Sequence, residues 1–187
     1  MTYSCAIFKE LDGDQQTEIT DSEMTRRISG KRVESISAPP PTPPSLDEDT
    51  LKDAQMRKLH HIIRKAKILP GHRVLEIGSG WGSMAILIAS TIPNTRIDTL
   101  TLSVQQQKLA QDRIAAVGLQ DRIKVHLMDY RDMPSLWEGS FDRLVSVEMI
   151  EAVGAEFLET YWRQVDWALK KQGGVGVVQV ITIPEAR

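Results

Sequence analysis

The stretch Val74-Leu75-Glu76-Ile77-Gly78-Ser79-Gly80-Trp81-Gly82-Ser83-Met84-Ala85-Ile86 decides the fold. A short apolar run from Val74 to Ile77 meets three glycines at alternate positions, Gly78, Gly80 and Gly82, and an apolar helical run follows. Glycine has no Cβ, so the backbone there can turn tightly and approach a ligand closely. The first N–H groups of a helix lack partners within it and point at whatever sits in the turn. Strand, glycine turn and helix in this order predict a nucleotide-binding corner of an α/β sheet. The spacing is G-x-G-x-G, which is neither the dinucleotide fingerprint nor a phosphate loop. The plain alternative is a tight turn that holds no ligand.

Outward from this corner the chain alternates. Strands are predicted at about 73–77, 96–102, 122–128, 141–147 and 175–183. Between them lie a helix at 82–91 and one opened by the Ser103/Gln106 capping box and closed at Gly118. A short helical turn covers 133–138. An amphipathic helix then carries Phe157, Leu158, Tyr161, Trp162, Val165 and Leu169. The β-branched run from Val175 to Ile183 suits a parallel strand buried on both faces. Before the corner, a helix from about Leu46 to Ile68 shows Met56, Leu59, Ile62, Ile63 and Ala66 at helical spacing, and Pro70-Gly71 ends it. Residues 39–45 are a proline-rich spacer. The expected organisation is an N-terminal segment, 1–45, and a doubly wound α/β domain with a mainly parallel sheet, 46–187.

The 187 residues suffice for one core, and a net charge of −2 argues against a general nucleic-acid binder. No apolar run reaches membrane-spanning length. A single cysteine, Cys5, cannot form an internal disulfide, which fits a reducing, cytoplasmic setting. No Cys/His cluster has zinc spacing, and His60-His61 reads as the polar side of a helix.

The glycine pattern, with Glu76 two residues before Gly78, resembles the first motif of methyltransferases that use S-adenosylmethionine. There the glycines lie against the methionine and ribose parts of the cofactor. Ligand pockets of such sheets form at the carboxyl ends of the strands. Here those ends are Thr101-Leu102-Ser103, Asp129-Tyr130 and Val147-Glu148-Met149-Ile150-Glu151. Asp129 suits a hydrogen bond from an adenine amino group and Tyr130 a cover for the ring, while a turn or cap role for Asp129 stands beside that reading. Many methyltransferases end the second strand with an acidic residue for the ribose hydroxyls. Here Leu100 or Thr101 holds that place, and Asp98 comes too early.

Taken in order, Tyr3-Ser4-Cys5-Ala6-Ile7-Phe8, Leu75 to Ser83, Thr101-Leu102-Ser103 with Gln106, Asp129-Tyr130-Arg131, and Glu148-Met149-Ile150-Glu151-Ala152-Val153-Gly154 resemble the cyclopropane-fatty-acyl-phospholipid and mycolic acid cyclopropane synthases, in detail the fungal members. The resemblance implies transfer of a methyl group from S-adenosylmethionine to a cis double bond of a phospholipid acyl chain. Proton loss then closes a cyclopropane ring. It implies cofactor contacts at Tyr3, Ser4, Glu76, Gly78, Gly80, Gly82, Thr101, Leu102, Gln106, Asp129 and Tyr130. It also implies a bicarbonate ion as base, held by Cys5, Glu151, Gln179 and Ile181. Gln179 stands where bacterial members have histidine, and Glu148 is a competing carboxylate. Trp81 fits either the core or a cofactor lid.

The family's sheet has seven strands, the last two an antiparallel hairpin. Those two, and a later site tyrosine, would fall beyond Arg187, so the resemblance implies a domain truncated at its C-terminus. Its expected partners are phospholipid acyl chains at a membrane surface, met peripherally, and it leaves room for a homodimer. Two other readings stand beside it. One is methylation of a small molecule, against which Ala152 counts, because the amine methyltransferases of this scaffold carry a histidine there. The other is a truncated, non-catalytic protein that binds S-adenosylmethionine.

Overall fold

A computed structural model of the chain describes residues 4–8 and 50–182. Tyr3 and the proline-rich spacer lie outside the described residues. Helix α1, Leu51–Ala66, starts four to five residues later than its periodicity suggests, because Thr50 caps it. The Thr50 hydroxyl accepts the Asp53 N–H at 3.2 Å, satisfying one of the donors left over at a helix start. Lys67 closes the helix in the left-handed conformation, its N–H returning to the Arg64 carbonyl.

The five strands are β1, Arg73–Ile77; β2, Arg96–Thr101; β3, Ile123–Leu127; β4, Arg143–Val147; and β5, Val175–Gln179. They form one parallel sheet in the order β3-β2-β1-β4-β5. Helices α2, Ser83–Thr91, α3, Val104–Ala116, and α4, Leu158–Ala168, connect them, with two short 3-10 turns between β3 and β4. The sheet separates two apolar layers. One joins α1, α2 and α3 to Val74, Ile97 and Val145. The other joins Trp137, Phe141, Tyr161 and Val165 to Leu75, Ile77 and Leu144. Strand residues thus alternate between layers, as the two-residue period of a strand requires. On α4 the inner face is Tyr161, Val165 and Ala168, while Phe157 and Trp162 of the sequence pattern lie exposed.

The fifth strand departs from expectation. It ends at Gln179, not at residue 183, and its side chains are half-covered, with Val180 and Ile181 exposed. Among the described residues only β4 pairs with it.

Asp98 resolves differently from a displaced ribose ligand. It sits on β2 between Arg73 of β1 and His126 of β3, at 2.9 Å from each. The Arg73 guanidinium also donates to Ser140 Oγ and lies over the Phe141 ring, 4.4 Å from its centroid. Burial pushes the Asp98 carboxyl up, but hydrogen bonds from His126 and Arg73 outweigh it and hold the carboxyl below its usual range. A depressed carboxyl stabilises the fold above its unfolded pKa and loses that contribution as pH falls through the folded value. Asp98→Asn should therefore cost about 2–3 kcal/mol at neutral pH, somewhat less than the roughly 3–5 kcal/mol of breaking a fully buried pair, because Arg73 is partly exposed. In urea melts the gap from the unsubstituted chain should narrow as pH falls below the ordinary carboxylate range, about 3.9, toward the lower pH at which the folded Asp98 protonates.

Candidate active site

The strand order reverses between β1 and β4, and a cleft of about 490 Å³ opens at the carboxyl ends of the strands there. One side is lined by Gly78, Gly80, Thr101, Leu102 and Gln106, and by Asp129 and Tyr130. The other is lined by Val147, Glu148, Met149, Val153, Glu156 and Phe157. This volume lies within the usual span of small-molecule sites, about 300–1,000 Å³.

The glycine corner is tied down from beneath. The N–H groups of Gly78 and Ser79 both donate to the Leu100 carbonyl, at 3.1 and 2.8 Å, so part of the turn's donor capacity anchors it to β2. Gly78 has φ +98°, a conformation closed to side chains, and a Cβ there would lie 3.3 Å from Met149 Cβ and Cγ. Gly82 has another purpose. It does not line the cleft; it is buried under α3, where a Cβ would stand 3.1 Å from Ala110 Cβ. Its place in the glycine pattern implied cofactor contact; what favours glycine there is its φ of +80° together with the close packing against Ala110.

Thr101 is fixed by its own hydroxyl, which donates to Gln106 Oε1 at 2.8 Å and accepts the Ser103 N–H at 3.1 Å. Gln106 is thereby turned toward the cleft, away from the reciprocal half of a capping box. Leu102 is 73% exposed on the cleft wall, an apolar surface open to a flat ligand. Asp129 takes the cap role and also has a place on the cleft wall. It caps a 3-10 turn, accepting the Arg131 N–H at 2.8 Å, and it lines the cleft. The Arg131 guanidinium hydrogen-bonds to it and holds its carboxyl low, outweighing partial burial.

A second, smaller hollow of about 50 Å³ adjoins the corner and shares Gly78 and Gly80 with the cleft. Ser4, Glu76 and Ser79 line it. Glu76 Oε2 and Ser79 Oγ are buried there without hydrogen-bond partners. Burial pushes the Glu76 carboxyl up to about 8. The nearby Thr99 hydroxyl works against this, although it completes no hydrogen bond of good geometry. Two orphaned polar atoms beside a glycine corner leave room for a polar arm bearing a cation. A nucleoside in the cleft with an amino-acid arm in the hollow is the shape of S-adenosylmethionine, and these residues fit it.

The residues expected to hold bicarbonate are divided between two carboxylates. Glu148 Oε1 accepts the Cys5 N–H at 2.8 Å and the Gln179 side-chain amide at 3.0 Å. Glu151 Oε1 accepts the Ile181 N–H at 2.6 Å. Glu148 lines the cleft, whereas Cys5, Glu151, Gln179 and Ile181 do not. The Glu148 carboxylate, by hydrogen bond and by charge, pushes the Cys5 thiol up, so the sulfur stays protonated and non-nucleophilic. Segment 4–8 reaches this place by docking on α1: the Ile7 N–H donates to the Ala54 carbonyl, and the buried Lys58 ammonium reaches Ser4 Oγ. The donors available to a free ion are therefore engaged by the chain's own anions, and the site as built does not fit bicarbonate. Glu148, Met149 and Phe157 are cleft residues that sequence reasoning did not single out as cofactor contacts. Among the described residues no group of three or more His, Cys, Asp or Glu side chains could hold a metal ion.

Comparison with known proteins agrees with this geometry. The chain matches the family described as mycolic acid cyclopropane synthetase over residues 1–187. It is 36% identical over 187 residues to tuberculostearic acid methyltransferase UfaA1 of Mycobacterium tuberculosis, covering 100% of this chain and 35% of that protein. It is 41% identical over 127 residues to the cyclopropane-fatty-acyl-phospholipid synthase of Escherichia coli, covering 68% and 31% respectively. The chain thus spans about a third of the length of these curated relatives. The structure of mycolic acid cyclopropane synthase CmaA1 complexed with SAH and CTAB superposes with a TM-score of 0.60 at 26% identity, over 69% of this chain and 42% of that one. The sheet is the Rossmann-like sheet of S-adenosylmethionine-dependent methyltransferases. A match that runs the whole length of the chain, through the motifs that build the cleft, makes it a member of the mycolic acid cyclopropane synthetase family.

Proposed function

We propose that this protein transfers a methyl group from S-adenosylmethionine to the cis double bond of an unsaturated phospholipid acyl chain, which closes to a cyclopropane. The observation that carries the reading is the two-sided cleft. Its polar, glycine-lined side suits a nucleoside, and its apolar side, Met149, Val153 and Phe157, suits a hydrocarbon chain. When bound, S-adenosylmethionine supplies an electrophilic methyl group. The chain's part is to hold the two reactants together and to exclude water from the cation left on the acyl chain. Family membership supports the same reading.

Among the described residues no helix is long and apolar enough to cross a membrane. The proposed contact with lipid is peripheral, at the cytoplasmic face, and Leu102 on the cleft wall and Val104, two residues further on, are exposed apolar residues suited to it.

The test is incubation of the protein with S-adenosylmethionine and vesicles of cis-monounsaturated phospholipid, followed by mass spectrometry of the lipids. A gain of one CH2 per chain together with high-field cyclopropane proton resonances is expected. The same gain without ring resonances would favour a methyl-branched product, a second reading prompted by the relative named for tuberculostearic acid. No gain, with S-adenosylmethionine still bound, would leave a small-molecule or non-catalytic role and sink the lipid reading.

A further inference from the structure

We propose that the Glu148 carboxylate is the base of this site, standing where the resemblance places a bicarbonate ion. The inference rests on the methyl-transfer reading above and deepens it. Glu148 follows the last residue of β4 and lines the cleft beside Gly78 and Met149. It is held by two segments remote in sequence, Cys5 from the N-terminal strap and Gln179 from the end of β5, at 2.8 and 3.0 Å. Its backbone has φ +49°, a conformation that side-chain-bearing residues adopt rarely and that tends to persist where function requires it. A diffusible anion would have to displace this carboxylate from its donors or sit against it, and like charges at such range repel. The third donor expected for the ion, the Ile181 N–H, is engaged by Glu151 at 2.6 Å.

Gln179 suits both states of such a base. As placed, its NH2 donates to the ionised carboxylate. Its Oε1 is buried with no partner. Rotating the amide by half a turn presents that oxygen, at the same separation, to the O–H of a protonated Glu148. A glutamine there serves an acceptor that changes protonation without itself taking up a proton.

The proton balance is simple. The π pair of the alkene bonds to the methyl carbon as the S–CH3 bond breaks, its electrons staying on sulfur in the departing S-adenosylhomocysteine, and a cation is left on the other alkene carbon. A C–H bond of that methyl breaks, its electron pair closes the ring, and the proton passes to a Glu148 oxygen and on to solvent.

The protein is assayed with S-adenosylmethionine and unsaturated phospholipid vesicles, in CO2-free buffer and again with added bicarbonate. The unsubstituted protein should turn over equally in both. Glu148→Gln should lower turnover at least about a hundredfold, the scale of losing a general base, with affinity for S-adenosylmethionine changed less than about threefold. Glu148→Gly relieves the positive φ and so guards against misfolding as an explanation. It should be equally impaired in CO2-free buffer and partly rescued by bicarbonate or formate. Independently of activity, 13C NMR of labelled bicarbonate should show broadening with Glu148→Gly and none with the unsubstituted protein. Bicarbonate binding to the unsubstituted protein, a bicarbonate requirement, or full turnover by Glu148→Gln would overturn the inference while leaving methyl transfer intact. No lipid methylation by the unsubstituted protein would overturn the methyl-transfer reading and this inference with it.

Discussion

Gly78→Val is expected to weaken binding of S-adenosylmethionine at least about a hundredfold, or about 2.7 kcal/mol, as read by calorimetry. Two costs meet at this position, the first falling on the fold and the second on affinity. A side chain at φ +98° is strained wherever it points, by about 1–3 kcal/mol. Its Cβ would also meet Met149 at 3.3 Å, and the remaining atoms would project into the space that the cofactor needs. Gly139→Ala is the matched control. Gly139 also has positive φ, +56°, but a Cβ there meets nothing within 4 Å and the residue lies away from the cleft. It should lose stability and keep its affinity. Equal loss of affinity in both variants would show that general destabilisation, not the corner, is being measured.

The second large effect concerns Glu76. Its carboxyl is raised from 4.5 to about 8 by burial, so the folded chain carries it protonated at neutral pH. A group raised in this way favours folding below its unfolded pKa, and that contribution is lost as pH rises toward the folded value. At pH 7 the loss is about 3 kcal/mol, taking about 1.4 kcal/mol for each pH unit above the unfolded value. Glu76→Gln should therefore raise stability at neutral pH by an amount of that order and flatten its dependence between about pH 5 and 8. Binding should move the other way. A cationic amino group placed in the hollow beside Glu76 favours the ionised carboxylate and expels its proton. The heat of S-adenosylmethionine binding at pH 7 should then vary with the ionisation enthalpy of the buffer. In Glu76→Gln that variation should vanish and affinity should fall. Identical heats in phosphate and Tris for the unsubstituted chain would disprove the assignment of this hollow. A residue that weakens the empty fold and strengthens the occupied one is a common compromise at binding sites.

The sheet was legible in the sequence because its strands carry short apolar, β-branched runs, the first three of them closed by a glycine or a capping residue. The glycine corner was legible because strand, turn and helix occupy one continuous stretch. What depends on register was not. Gln179 lies beside the carboxylate end of β4 because Val147 pairs with it across the sheet, and no spacing along the chain announces that. The same holds for Glu148 over Glu151. Both sit in one motif, and the choice between them is made by the N-terminal strap, whose Cys5 N–H reaches Glu148 from 143 residues away. Gly82 shows the converse. Three evenly spaced glycines look alike in sequence, yet Gly78 and Gly80 face the cleft while Gly82 faces Ala110. Asp98 comes too early on its strand for a ribose contact, and the role it does have was hidden because its partners Arg73 and His126 lie on the strands to either side.

The Asp98 clamp has a consequence for how this protein can change. Arg73 opens β1, and the glycine corner begins five residues further on, about 16 Å along an extended strand. Sites separated by more than about 7–10 Å without shared partners combine additively. The free-energy losses of Asp98→Asn and of a cleft substitution should then sum without interaction. Part of the robustness is thus set on β1, β2 and β3 away from the chemistry at their carboxyl ends. Variation in the loops can explore new substrates without drawing on the clamp.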